Sequence, residues 1–190
     1  MACPTRSWCV VVGANFFLTI TNDVVGRPVK VPQDLSAVAC STESSCVAVG
    51  NADVVPIDGG AAGAARSVPG VHLLGVTCPR QTECLAVGGS TRGGVVVPVA
   101  NQVPGRPEPV SSLSELSSVA CVTAATCIAS GSNAAGTKGA AIPVLGSVPG
   151  RARTIRTLLP GVSCGSTSNC TAVGTTPNPE EYGIVVNLTD

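Results

Sequence analysis

Aromatic side chains are nearly absent from this sequence: Trp8, Phe16, Phe17 and Tyr182 are the whole set. Any core must therefore be assembled from Val, Leu, Ile and Ala, which bury less area per residue than rings do. Charge is equally sparse, at 12% Asp, Glu, Lys and Arg with a formal net charge of zero. That balance lacks the electrostatic footprint that nucleic acid or an anionic membrane surface selects, so neither is an expected partner. The densest basic group, Arg151, Arg153 and Arg156, reads as solvated charge along one exposed strand rather than a phosphate site. Long apolar runs are missing as well, because Gly, Pro, Asn or a charged residue interrupts each stretch, and no segment reaches the length of a membrane-spanning helix. Histidine occurs once, at His72, so a Ser-His-Asp or Cys-His arrangement would have to be built around that residue.

What the sequence does have is one unit in five copies. Cysteines pair off as Cys3 with Cys9, Cys40 with Cys46, Cys78 with Cys84, Cys121 with Cys127, and Cys164 with Cys170, each pair enclosing five residues. After each second cysteine a short small-residue strand runs to a glycine, at Gly13, Gly50, Gly88, Gly131 and Gly174. The first cysteines recur at intervals of 37, 38, 43 and 43 residues, within the period range of propeller blades and other repeat arrays.

Each repeat reads as four strands. The first follows Leu-x-x-Val-x-Cys, at Leu35 to Cys40, Leu73 to Cys78, Leu116 to Cys121 and Leu159 to Cys164, and the second is the Cys-x-Ala-Val-Gly strand. A third strand carries a recurring proline, Pro56, Pro98 and Pro143, which lacks a ladder donor and predicts a free edge or bulge at the prolyl nitrogen. A Val-Pro-Gly or Gly-Arg turn follows, and a fourth strand leads to the next Leu-x-x-Val. His72 is read as part of the fourth strand of the second repeat.

The expected fold is thus all-β: a single domain over 1–190 forming a five-bladed β-propeller of four-stranded antiparallel blades, at approximately 1–36, 37–74, 75–116, 117–160 and 161–190. The last blade stops after three strands, so Gly183 to Asp190 is expected to present a bare edge for a partner or a second copy. Residues flanking a five-residue loop can stand opposite one another in a hairpin, which predicts one disulfide inside each blade. Zinc is the alternative use of the cysteines, although its sites favour two to four intervening residues and four converging ligands. Small Ala and Gly on the hairpin suit a ring of five blades with a narrow axis. Paired cysteines point to an oxidising, secreted or cell-surface destination. The opening MACPTRSWC has no signal-peptide pattern, which a removed leader would reconcile with that destination.

The pattern Leu-x-x-Val-x-Cys, loop, Cys-x-Ala-Val-Gly resembles bacterial propeller repeats of the BNR and photosystem-assembly-factor type. It is similar above all to a cysteine-bearing variant in secreted actinobacterial proteins. The Asp-box of the BNR pattern and a tryptophan closing the fourth strand are both missing.

Three function classes follow. The leading expectation is a non-catalytic extracellular module that binds a protein or glycan on its loop face, or scaffolds and self-assembles through the open blade, and needs no cofactor or metal. A propeller lectin would use one site per blade after each Ala-Val-Gly, with candidates Asn15, Asn51, Ser90, Asn133 and Thr176. A sialidase-like hydrolase would draw on Glu180, Glu181 and Tyr182, which sit in a Pro-rich stretch read as a turn.

Overall fold

The computed structural model describes residues 1–166, 169–175 and 183–188, and among these every regular element is a strand. Five antiparallel sheets follow one another along the chain as the blades of a five-bladed β-propeller. In the second blade the inner strand Ala37–Thr42 pairs with Ser45–Gly50, which pairs with Asp53–Asp58. Two short pieces, Ala61–Ala62 and Arg66–Ser67, form its outer edge. The third blade repeats this order with Val71–Arg80, Glu83–Ser90, Gly93–Ala100, Val103–Pro104 and Glu108–Val110. The fourth does so with Leu113–Thr123, Thr126–Asn133, Gly139–Leu145, Val148–Pro149 and Arg153–Ile155. The fifth has three strands, Leu158–Ser166, Asn169–Thr175 and Gly183–Asn187.

In the first blade the run Trp8–Thr21 turns back on itself at Asn15, whose φ is 62°. The Asn22 N–H donates to the Ser7 carbonyl at 2.8 Å, joining the two ends of the run. Val29–Asp34 lies along its outer side, while Ala2 caps the inner side through reciprocal backbone bonds to Val10 at 2.9 and 2.8 Å.

In the second, third and fourth blades the recurring proline sits where the outer strand divides in two, and in the first blade Thr19 stands at the same division. Pro56, Pro98 and Pro143 accept at their carbonyls from the N–H groups of Gly63, Gly105 and Gly150 at 2.9, 2.7 and 2.8 Å. In an antiparallel ladder the N–H and C=O of a residue address the same neighbour. The missing prolyl donor therefore faces the outer strand, which breaks at that point.

Three of the expected blade boundaries move. The inner strands begin at Val71, Leu113 and Leu158, so divisions at 75, 117 and 161 would cut through them. The cause is a register shift beside the Leu-x-x-Val lead, between Val87 and Gly88, Leu116 and Ser118, and Leu158 and Gly161. An irregularity there breaks the alternation that marks a strand in sequence, yet the chain stays paired through it. His72 accordingly belongs to the inner strand of the third blade, opposite Gly89, and not to the second repeat.

The disulfides form as expected, one per blade: Cys3–Cys9, Cys40–Cys46, Cys78–Cys84, Cys121–Cys127 and Cys164–Cys170, with Cα separations between 3.9 and 4.1 Å. They leave no cysteine free for a metal.

The core lies between blades, not inside them. Side chains alternate along each second strand between a forward face, toward the following blade, and a rear face. Forward residues Trp8, Val10 and Phe17 meet rear residues Cys46, Ala48, Val55 and Ile57. Forward Val47, Val49 and Val54 meet Ala86, Val95, Val97 and Val99. Forward Leu85, Val87 and Val96 meet Cys127, Ala129, Ala140, Ile142 and Val144. Beyond the fifth blade the series stops: Val173 and Val185 on its forward face are 49% and 71% exposed.

Candidate functional site

The blades have two ends. At one, the second strand turns into the third; at the other sit the Cys-x5-Cys hairpins. The polar positions after each Ala-Val-Gly lie at the turn end, and the structure explains their chemistry locally. Asn15 and Asn51 occupy the left-handed region, with φ of 62° and 44°, a conformation that asparagine tolerates better than most residues. Ser90 donates to the Gly93 carbonyl at 3.1 Å and accepts from the Arg92 N–H at 3.2 Å. Asn133 accepts at Oδ1 from the N–H groups of Thr137 and Lys138, at 2.8 and 3.0 Å. These side-chain bonds hold each turn together and stay within one blade. Thr176 lies outside the described residues, as do Glu180, Glu181 and Tyr182.

His72 also sits at this end. Its Nε2 lies 2.8 Å from Glu115 Oε2, joining the third and fourth blades, with both side chains well exposed at 49% and 39%. An exposed pair of this kind contributes little to stability. Among the described residues no group of three or more His, Cys, Asp and Glu side chains converges as a metal site would require.

The hairpin end is less uniform. At the junction of the first and second blades, Trp8 is 9% exposed and shares a buried cluster with Val38 and Cys46, against which the partly buried Cys40 packs. Thr5 donates across the same junction to Glu43 at 2.7 Å. Between the second and third blades polar groups bridge instead: Ser45 donates to the Gln81 carbonyl at 3.2 Å, and Gln102 Nε2 to Asp58 Oδ1 at 2.6 Å.

Between the third and fourth blades neither device is present. A cavity of about 430 Å³ opens there, lined among others by Leu85, Pro98, Cys84, Cys121 and Cys127, with Arg80 and Glu83 at its rim. Sequence reasoning missed it. The signal is available in the repeat, since the residues whose side chains bridge the preceding junction, Ser45, Asp58 and Gln102, become Glu83, Ala100 and Ser147 here.

No protein-family model matches this chain, and no curated protein matches it in sequence. Solved structures share its backbone. Hydrazine synthase of Kuenenia stuttgartiensis superposes with a TM-score of 0.83 at 10% identity, over 99% of this chain and 62% of that one. The Pan2 WD40 domain of Neurospora crassa gives 0.65 at 10% identity, over 98% and 64%. Regucalcin of Agrobacterium tumefaciens, a calcium-binding protein, gives 0.60 at 12% identity, over 97% and 71%. The chain therefore spans less than two thirds of the first two. At such identities the likeness is one of fold, the β-propeller, and function has to be argued from this chain's own residues.

Proposed function

We propose that this β-propeller is a non-catalytic, secreted or cell-surface binding and scaffold module, built from cysteine-bearing repeats of BNR type, that self-assembles through its fifth blade. The observation that carries the reading is the forward face of that blade. Val173 and Val185 are 49% and 71% exposed, whereas Val49 and Val87, and Val54 and Val96, at the same positions of earlier blades are all at 0%. Covering a valine contributes about 1.5 kcal/mol, so a second copy seated on this face gains what every internal junction already gains. The strand Gly183–Asn187 adds a backbone edge, being paired on one side by Asn169–Thr175 and by no other strand among the described residues. Five disulfides suit an oxidising environment.

A five-fold sugar site draws less support, because Ser90 and Asn133 use their polar atoms inside their own turns. Light scattering coupled to size exclusion tests the assembly reading. The wild type is expected to form concentration-dependent oligomers over the micromolar range, and the Val173→Glu/Val185→Glu variant to remain monomeric. A wild type that stays monomeric throughout would overturn it.

A further inference from the structure

We infer that the cleft between the third and fourth blades, at the hairpin end, is a docking site for an aromatic side chain, an indole foremost, presented by a partner polypeptide. The protein supplies its own precedent. Trp8 directly precedes Cys9, as Ser45 precedes Cys46 and Glu83 precedes Cys84. Strand alternation puts these three residues on the forward faces of successive blades, two positions before Val10, Val47 and Leu85. At the first junction the indole of Trp8 enters from the hairpin and is buried to 9% exposure among Val38, Cys46 and Cys40. A buried aromatic ring in one cluster with the disulfide of the following blade is thus an arrangement this repeat already uses.

The third junction keeps the receiving surface and lacks the ring. Glu83 stands where Trp8 would, its side chain 51% exposed and turned back to Arg80 at 3.6 Å. The polar bridge of the second junction cannot form either, because Ala100 and Ser147 replace Asp58 and Gln102. What remains is the 430 Å³ cavity, within the size range of ordinary ligand sites. Its apolar wall includes Pro98 and the buried Leu85, which is 4% exposed. The Cys121–Cys127 disulfide of the fourth blade lies along it, and sulfur is a favourable neighbour for a ring edge.

The rim explains a preference for indole. The Glu83 carboxylate can accept an indole N–H, and the Arg80 guanidinium can lie over a ring face. A polypeptide is the fitting source because the cleft opens on the solvent side beside Ala124 and Ala125, where small side chains leave room for an approaching backbone. Trp8 reaches its own cleft in the same way, from an exposed loop.

The test is a titration of the isotopically labelled protein with the peptide acetyl-Gly-Trp-Gly-amide, and with indole alone, followed by amide chemical shifts. Saturable shifts are expected at residues 80–85, 98–100, 121–127 and 146–147. Two variants alter the cleft from within: Glu83→Trp fills it by repeating the Trp8 arrangement, and Ala100→Asp/Ser147→Gln lays the polar bridge of the second junction across its apolar surface. Each is expected to weaken peptide binding at least tenfold without lowering the melting temperature. Absence of saturable shifts in the wild type, or equal binding by both variants, would overturn the site. Binding of indole with exclusion of the peptide would overturn the polypeptide partner.

Discussion

From the second blade to the fifth, a glycine ends the second strand because the backbone at or just before the inner strand passes too near for any side chain. A Cβ at Gly50, Gly88, Gly131 or Gly174 would meet the backbone carbonyl oxygen of Asp34, His72, Glu115 or Leu158. Backbone cannot yield as a flexible side chain can, so Gly131→Ala is expected to cost about 3 kcal/mol. It should be read as a lower urea midpoint at unchanged slope. Beside it stands Ser130, which is fully buried with no hydrogen-bond partner for its hydroxyl, where the earlier blades have Val49 and Val87. Ser130→Val removes that unmet hydroxyl and is expected to stabilise by about 1 kcal/mol. A higher urea midpoint would confirm it, and a lower one would mean that the hydroxyl is satisfied in solution. The glycine was legible in the sequence because five copies repeat it. The serine was not, since its burial is imposed by the neighbouring blade and not by its own strand.

At the scale of the element, the stapled hairpin was readable and the strand limits were not. The cysteine spacing alone set the two strands opposite each other, and Cys40 with Cys46, Cys121 with Cys127 and Cys164 with Cys170 pair in register. The irregularity beside the Leu-x-x-Val lead of the third, fourth and fifth blades hides the first residues of the inner strand, so the sequence pattern sets His72 one blade too early. Closing so short a loop contributes about 2 kcal/mol by restricting the unfolded chain. Replacing Cys121 and Cys127 by Ala is expected to lose about that amount, plus the packing of Cys127, which is 3% exposed against the third blade. A loss well below 1 kcal/mol by denaturant titration would show that the unfolded hairpin is already compact.

For the whole molecule, stability is distributed as in other repeat arrays, each blade resting on its neighbours. The repeat pattern made the blade legible, and with it the array; it carried no information on which faces end up covered, because the same Val motif is buried in one blade and exposed in another. Every residue of Ser45–Gly50 is buried, with blades on both sides. In Asn169–Thr175 only the rear-facing Cys170, Ala172 and Gly174 are. Backbone amides open most readily where burial is least, so those of Asn169–Thr175 and Gly183–Asn187 are expected to exchange with solvent well before those of Ser45–Gly50 and Glu83–Ser90. If copies assemble on the fifth blade, this difference must shrink as protein concentration rises, because the second copy supplies the missing cover. In Val173→Glu/Val185→Glu the fast exchange should persist at every concentration. Protection that rises with concentration equally in that variant would place the contact between copies on another surface.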